Sequence, residues 1–352
     1  QRAYQISRID PATIGLIEAH GTGTPVGDAT EIKALTKVFG HRIGEFPHRG
    51  LGSVKSMISH SIPSAGMAGL IKTALALYHK ILPPTLCEDP NPGLELDKTT
   101  FYINTEARPW IHGAGHPRRA GVNAFGFGGV NAHAILEDHV TDYNNRRSSP
   151  SLPGKWDSEV IICQAEWRND LIKAAARLLQ FIKDNPKVEL TDIAFSLNCP
   201  LRDAASYRLS IVARTLADLE QKLEFALAQL NDPNCTNIKD RKGVFFSEEP
   251  ISREGKIVFL FPGEGSQYPQ MLSDLCTHLD QVRNWFDWAD SMLLRNKRYP
   301  LLSQVLFPPP YLSEDACKIA KQALHKMEYA VLAVSSANLG LYNLLERLEI
   351  RP

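Results

Sequence analysis

Residues 13–39 read TIGLIEAHGTGTPVGDATEIKALTKVF. The apolar run up to Glu18 ends at His20 and a loop holding Gly21 and Gly23, which is how a buried strand delivers a polar residue to its edge. Asp28 then precedes Ile32, Leu35, Val38 and Phe39 at helical spacing, so strand, loop and helix follow in order. A second stretch repeats the plan: LGSV from Leu51, a polar loop through His60, then a helix of small residues from about Ser64 to His79. Repetition of this order predicts a layered α/β fold.

Further along, VNAFGFGG and VNAHAILE (residues 122–137) are two strand-like stretches joined through glycines, expected as a hairpin or an adjacent pair. Ala132, Ala134 and Leu136 alternate there with Asn131, His133 and Glu137, which predicts an apolar and a polar face. The polar, proline-bearing segment DHVTDYNNRRSSPSLPGKW reads as a surface connection. From Glu159 to about Ser247, EVIIC, a helix near 170–183, YRLSIVAR, a helix over 216–230 and GVFFS compose a small α/β unit. From Lys256 the apolar KIVFLF predicts a strand that enters the turn PGEGSQ, followed by helical segments to the end.

The composition is that of ordinary soluble globular protein: 43% apolar and 22% charged residues, with 39 basic against 39 acidic side chains. That balance gives no polyanion-seeking surface, so nucleic acid is not an expected partner. The six cysteines are too far apart for a zinc site or a redox motif, and no metal is expected. No apolar run reaches membrane-spanning length and the N-terminus lacks signal-peptide features, so no membrane association and a cytoplasmic location are expected. The opening at Gln1 and the stop directly after a helical pattern suggest a piece cut at both sides.

Three motifs carry chemistry. In EAHGTGTPVGD (18–28), a histidine at a strand end can donate to a bound carbonyl while Thr22 and Thr24 meet a polar substrate arm. SVKSMISHSIPSAGMAG (53–69) places His60 on a loop between strand and helix, with Lys55 five residues earlier. In NAFGFGGVNAH (123–133), glycines on both sides of Phe127 let backbone N–H groups approach a ligand. Taken alone, the first is more often a tight turn, the second a helix entrance and the third a bulged strand turn.

In this order and spacing the three resemble the β-ketoacyl synthase family, over essentially all of residues 1–138. The resemblance implies a thiolase-like fold, of which this is the C-terminal half, and decarboxylative Claisen condensation. It implies that His20 and His60 hydrogen-bond the thioester oxygen of the extender unit, with Lys55 supporting the second histidine. Thr22 and Thr24 correspond to the pair that binds the phosphopantetheine arm of an acyl carrier protein, and Phe127 to the gate residue whose backbone N–H shares the oxyanion hole. Glu31 reads as structural. The family's nucleophilic cysteine lies before the first motif, yet Cys87 is the first cysteine here, so the fragment is not expected to form the acyl-enzyme. Ser59 replaces the family's glycine beside His60, a change expected to narrow the pocket.

FLFPGEGSQY (259–268) resembles the entry motif of malonyl-type acyltransferases, with Glu264 at the position that gives its backbone N–H to the oxyanion hole. The serine elbow of that family is absent, and LGLYNLLERLEIRP resembles the segment just before it. The implied order is ketosynthase C-terminal half over 1–138, a linker segment and small α/β linker domain over 139–250, and the start of an α/β-hydrolase-like acyltransferase over 251–352. Asp89–Trp110 is most similar to iterative bacterial synthases of the polyunsaturated fatty-acid and glycolipid type. The expected partners are acyl carrier protein, acyl and malonyl thioesters, the remaining domains of a synthase and a second copy in a homodimer. No cofactor is expected to be bound; the phosphopantetheine arm arrives on the carrier protein. Two other readings stay open: a non-elongating ketosynthase and a non-catalytic docking module.

Overall fold

A computed structural model describes residues 1–139, 156–199, 207–248, 255–310 and 313–352, with Phe127 described by its backbone only. Most of the polar connection expected after Asp138 lies outside the described residues. By packing, the chain divides into a unit formed by residues 1–153 and 258–352 and a unit formed by residues 154–257.

The first unit begins with helix α1 (Arg2–Ser7), strand β1 (Ile14–Glu18), helix α2 (Pro25–Phe39) and strand β2 (Arg49–Gly52). There follow α3 (Lys55–Ile58), α4 (Ala65–His79), the two-residue β3 (Ile81–Leu82), β4 (Phe101–Ile103), the two-residue β5 (Arg108–Pro109), β6 (Arg119–Phe125) and β7 (Asn131–Glu137). The main sheet has the order β4-β2-β1-β6-β7. Every pairing in it is parallel except the β6–β7 hairpin. A parallel sheet must be covered on both faces. Ile17, Leu51 and Phe101 pack with Tyr4 of α1 and with Ile32 and Leu35 of α2. Leu16, Tyr102 and Ala120 pack with Ala76 and Leu77 of α4. The alternation expected in β7 holds at Asn131, Leu136 and Glu137 but fails in the middle, where Ala132 and Ala134 are exposed and His133 is half-buried. A methyl group gains little from burial, while the imidazole finds hydrogen-bond partners on β6 and α1.

The second unit contains β8 (Glu159–Ala165), α5 (Arg168–Asp184), α6 (Leu190–Asn198), β9 (Tyr207–Ala213), α7 (Leu216–Leu230), β10 (Asn237–Asp240) and β11 (Val244–Ser247). Its antiparallel sheet runs β10-β11-β9-β8, and Leu171, Leu219, Leu223 and Ile211 centre its core. This is the small α/β unit the apolar pattern predicts.

The described residues between 273 and 347 form helices α8 (Ser273–His278), α9 (Asp280–Arg295), α10 (Leu302–Leu306), α11 (Glu314–Leu324) and α12 (Met327–Arg347), joined by short irregular stretches. The strand expected at KIVFLF does not form. Residues 256–263 carry no regular structure, and Val258 and Leu260 are exposed at 75% and 90%. Strand propensity is only half of a strand; the other half is a neighbour to complete the ladder, and no described strand supplies one.

Candidate active site

Because β2, β1 and β6 are adjacent and parallel, their carboxyl ends lie along one sheet edge, and each of the three motifs leaves from there. In open α/β sheets this edge is where ligands bind. His20 follows β1 by two residues, His60 lies on the loop between α3 and α4, and Phe127 opens a short 3-10 turn (Phe127–Gly129) just after β6. Gly21, at φ +40, brings the loop against Ser53, where a β-carbon would come within 2.9 Å of the serine side chain.

The two imidazoles meet edge to face, ring centroids 5.6 Å apart. His20 Nδ1 accepts the N–H of Phe125 at 3.3 Å, and His60 Nδ1 accepts the N–H of Ile62 at 3.0 Å. An imidazole that accepts at Nδ1 carries its proton at Nε2. Both rings are therefore held as Nε2–H donors. Burial first, and then the positive charge of Lys55, hold the His20 pKa below the usual histidine range, which keeps this tautomer neutral. Lys55 opens α3, and burial lowers its own pKa against the opposing pull of Glu18 and Glu31.

The hydroxyls of Thr22 and Thr24 lie 3.1 Å apart on the open side of the loop. Glu31, read from sequence only as structural, holds the loop from beneath: its carboxylate accepts the N–H of His20 at 2.8 Å and of Gly21 at 2.9 Å. It also accepts from Asn123 Nδ2 at 2.8 Å. The polarity then runs outward without a break. Asn123 Oδ1 accepts from His133 Nδ1, and His133 Nε2 accepts from the Tyr4 hydroxyl. Sequence reading missed this chain; its only trace was a histidine on the polar side of the β7 pattern.

Glu264 stands apart. It sits on an exposed turn where Gly265 N–H bonds Gln267 Oε1, and among the described residues it shares no hydrogen bond, ion pair or ring contact with the histidine loops. A cavity of about 700 Å³ lined by Ile14, Tyr102, Arg108, Trp110 and Phe307 likewise includes none of the expected site residues. Among the described residues no cluster of His, Cys, Asp or Glu could hold a metal ion, and no helix is long and apolar enough to cross a membrane.

Residues 1–88 match the family model described as the β-ketoacyl synthase C-terminal domain, and residues 90–208 that described as the ketoacyl-synthetase C-terminal extension. The chain is 35% identical to a polyunsaturated fatty acid synthase polypeptide of Thraustochytrium over 90% of its own length and 12% of that protein. It is 35% identical to polyketide synthase PksL of Bacillus subtilis over 68% of its length and 5% of that protein. Among solved structures, the ketosynthase from module 6 of the bacillaene synthase of Bacillus subtilis is 34% identical, with 66% of this chain and 38% of that one covered and a TM-score of 0.37.

Proposed function

Residues 1–208 of this chain belong to the β-ketoacyl synthases, as their C-terminal domain and its extension in the polyketide and polyunsaturated fatty-acid synthase group, and from that membership we propose that His20 and His60 are the decarboxylation pair of a condensing enzyme. The observation that carries the reading is the pair of donors. Two imidazoles, each accepting a backbone amide at Nδ1, lie edge to face with their ring centroids 5.6 Å apart.

The substrate that suits them is a malonyl-type thioester. When its carboxylate leaves as carbon dioxide, the electrons of the broken C–C bond pass into the thioester and charge develops on its oxygen. Two donors already in place stabilise that enolate without reorganisation. The enolate carbon then attacks an acyl thioester, forming the new C–C bond and expelling its thiolate. The backbone N–H of Phe127 is assigned to the oxyanion formed in that attack. Thr22 and Thr24 are assigned to the phosphopantetheine arm, which arrives on an acyl carrier protein as part of the substrate. Lys55 supplies positive charge beside His20, favouring its neutral form. Residues 251–352 are assigned to the start of an acyltransferase, with the Glu264 amide as an oxyanion donor for the acyl-transfer step. The domain limits at 138 and 250 belong to the same proposal.

The test joins this chain in one polypeptide to a ketosynthase N-terminal domain and measures carbon dioxide release from malonyl-loaded carrier protein. His20→Ala and His60→Ala are each expected to slow release by about a hundredfold or more, the usual cost of one preorganised donor. Release at the original rate from both variants removes the assignment.

A further inference from the structure

Glu18 is a carboxylate in a place where an apolar residue would serve a strand better. It closes β1, two residues before His20, and is 2% exposed. Oε1 accepts the N–H of Val54 at 2.5 Å, and Oε2 pairs with Lys72 Nζ at 2.9 Å. Val54 is the residue from which α3 starts, and Lys72 lies on α4. The loop bearing His60 runs between those two anchors. One buried carboxylate thus ties the strand that presents His20 to the start of α3 and to the middle of α4, the two helices that flank the segment presenting His60.

The surroundings leave it little room. A β-carbon at Gly69 would come within 3.0 Å of Glu18 Cγ. At Gly52 it would come within 2.6 Å of Thr85 Oγ1 and 3.4 Å of Lys72 Nζ. Two glycines therefore make way for the ion pair. A buried pair is poor evidence of stability, because an apolar pair of similar volume often does as well; what it supplies is one defined geometry. Here the fixed geometry is that of the two histidine segments, and the α3 end receives an acceptor for an amide that has no partner within its own helix.

We propose that Glu18, through Val54 N–H and Lys72, is a positioning residue that sets His60 against His20. The inference rests on reading the two histidines as one site and adds what holds them in register. An amide at position 18 cannot accept from both Val54 and Lys72 with the right polarity, since its nitrogen would face one of the two donors. Removing the lysine charge resolves that conflict, because the amide oxygen then serves Val54 alone.

The experiment is proton NMR on this chain carrying labelled histidine, reading the cross-relaxation peak between the His20 and His60 rings. Glu18→Gln is expected to lose the peak while circular dichroism and melting stay those of a folded chain. Glu18→Gln with Lys72→Met is expected to regain it. An unchanged peak in the single variant, or a folded double variant without the peak, overturns the proposal. Should the single variant not fold, the double variant alone decides by the same peak. Failure of the condensing reading is separate: carbon dioxide release would then ignore His20→Ala and His60→Ala while the ring contact still followed residue 18.

Discussion

Ser59 shows how a single residue can carry the cost of a site. It sits beside His60 at φ 61° and ψ −178°, a region that glycine enters freely and a side chain does not. The serine is exposed, and the cost falls on its backbone. Ile62, two residues beyond His60, is also left-handed, at φ 50°. The turn that holds His60 Nδ1 against Ile62 N–H is thus bracketed by two unfavourable conformations. Ser59→Gly is expected to stabilise the first unit by about 1 kcal/mol, near the lower end for such strain, and to appear as a raised melting temperature. No change, or a fall, would mean that the serine relieves the strain through contacts of its own.

At the scale of elements, the apolar segment after Lys256 separates propensity from pairing. Ile257, Val258, Leu260 and Phe261 are more than half exposed, a patch of the type that promotes association. Asn338 Nδ2 donates to Pro262 O at 3.0 Å and holds the end of the segment against α12. Replacing Val258 and Leu260 together with lysine is expected to lower aggregation, read by light scattering, and to leave the melting of the first unit within about 0.5 kcal/mol. A large loss of stability would show that these side chains are packed in solution.

For the molecule as a whole, acid tests the polar wiring of the first unit. His112 donates from Nε2 to His116 O, and His133 stands between Asn123 and Tyr4; burial is the leading cause that takes each from 6.5 to about 4. A histidine depressed in the folded state binds fewer protons there than when unfolded. Its contribution is complete above pH 6.5 and is lost as pH falls toward about 4. Asp290 works the other way, since burial lifts it from 3.8 to about 7 and it favours the folded state as pH drops. With His48, which burial likewise takes from 6.5 to about 4, three histidines against one carboxyl leave a net loss on acidification. The melting temperature of the first unit is expected to fall between pH 6.5 and 4. Residues 154–257 contain no histidine, so the second unit should move less over that range. Equal shifts in both units would contradict the assignment to these imidazoles.

The order of strand, loop and helix, the two histidine loops, the glycines that shape them and the β6–β7 hairpin were all legible in the residues, because each depends on spacing and turn chemistry within a short stretch. Tertiary structure alone decided that β1 lies between β2 and β6, and so that His20, His60 and the Phe127 turn leave one edge. It decided also that Glu18, Glu31 and Asn123 support those loops, and that KIVFLF stays unpaired. The physical reason is the same in each case. A backbone amide or a buried carboxylate states in sequence only that it needs a partner; which partner it finds is settled by strands and helices distant along the chain.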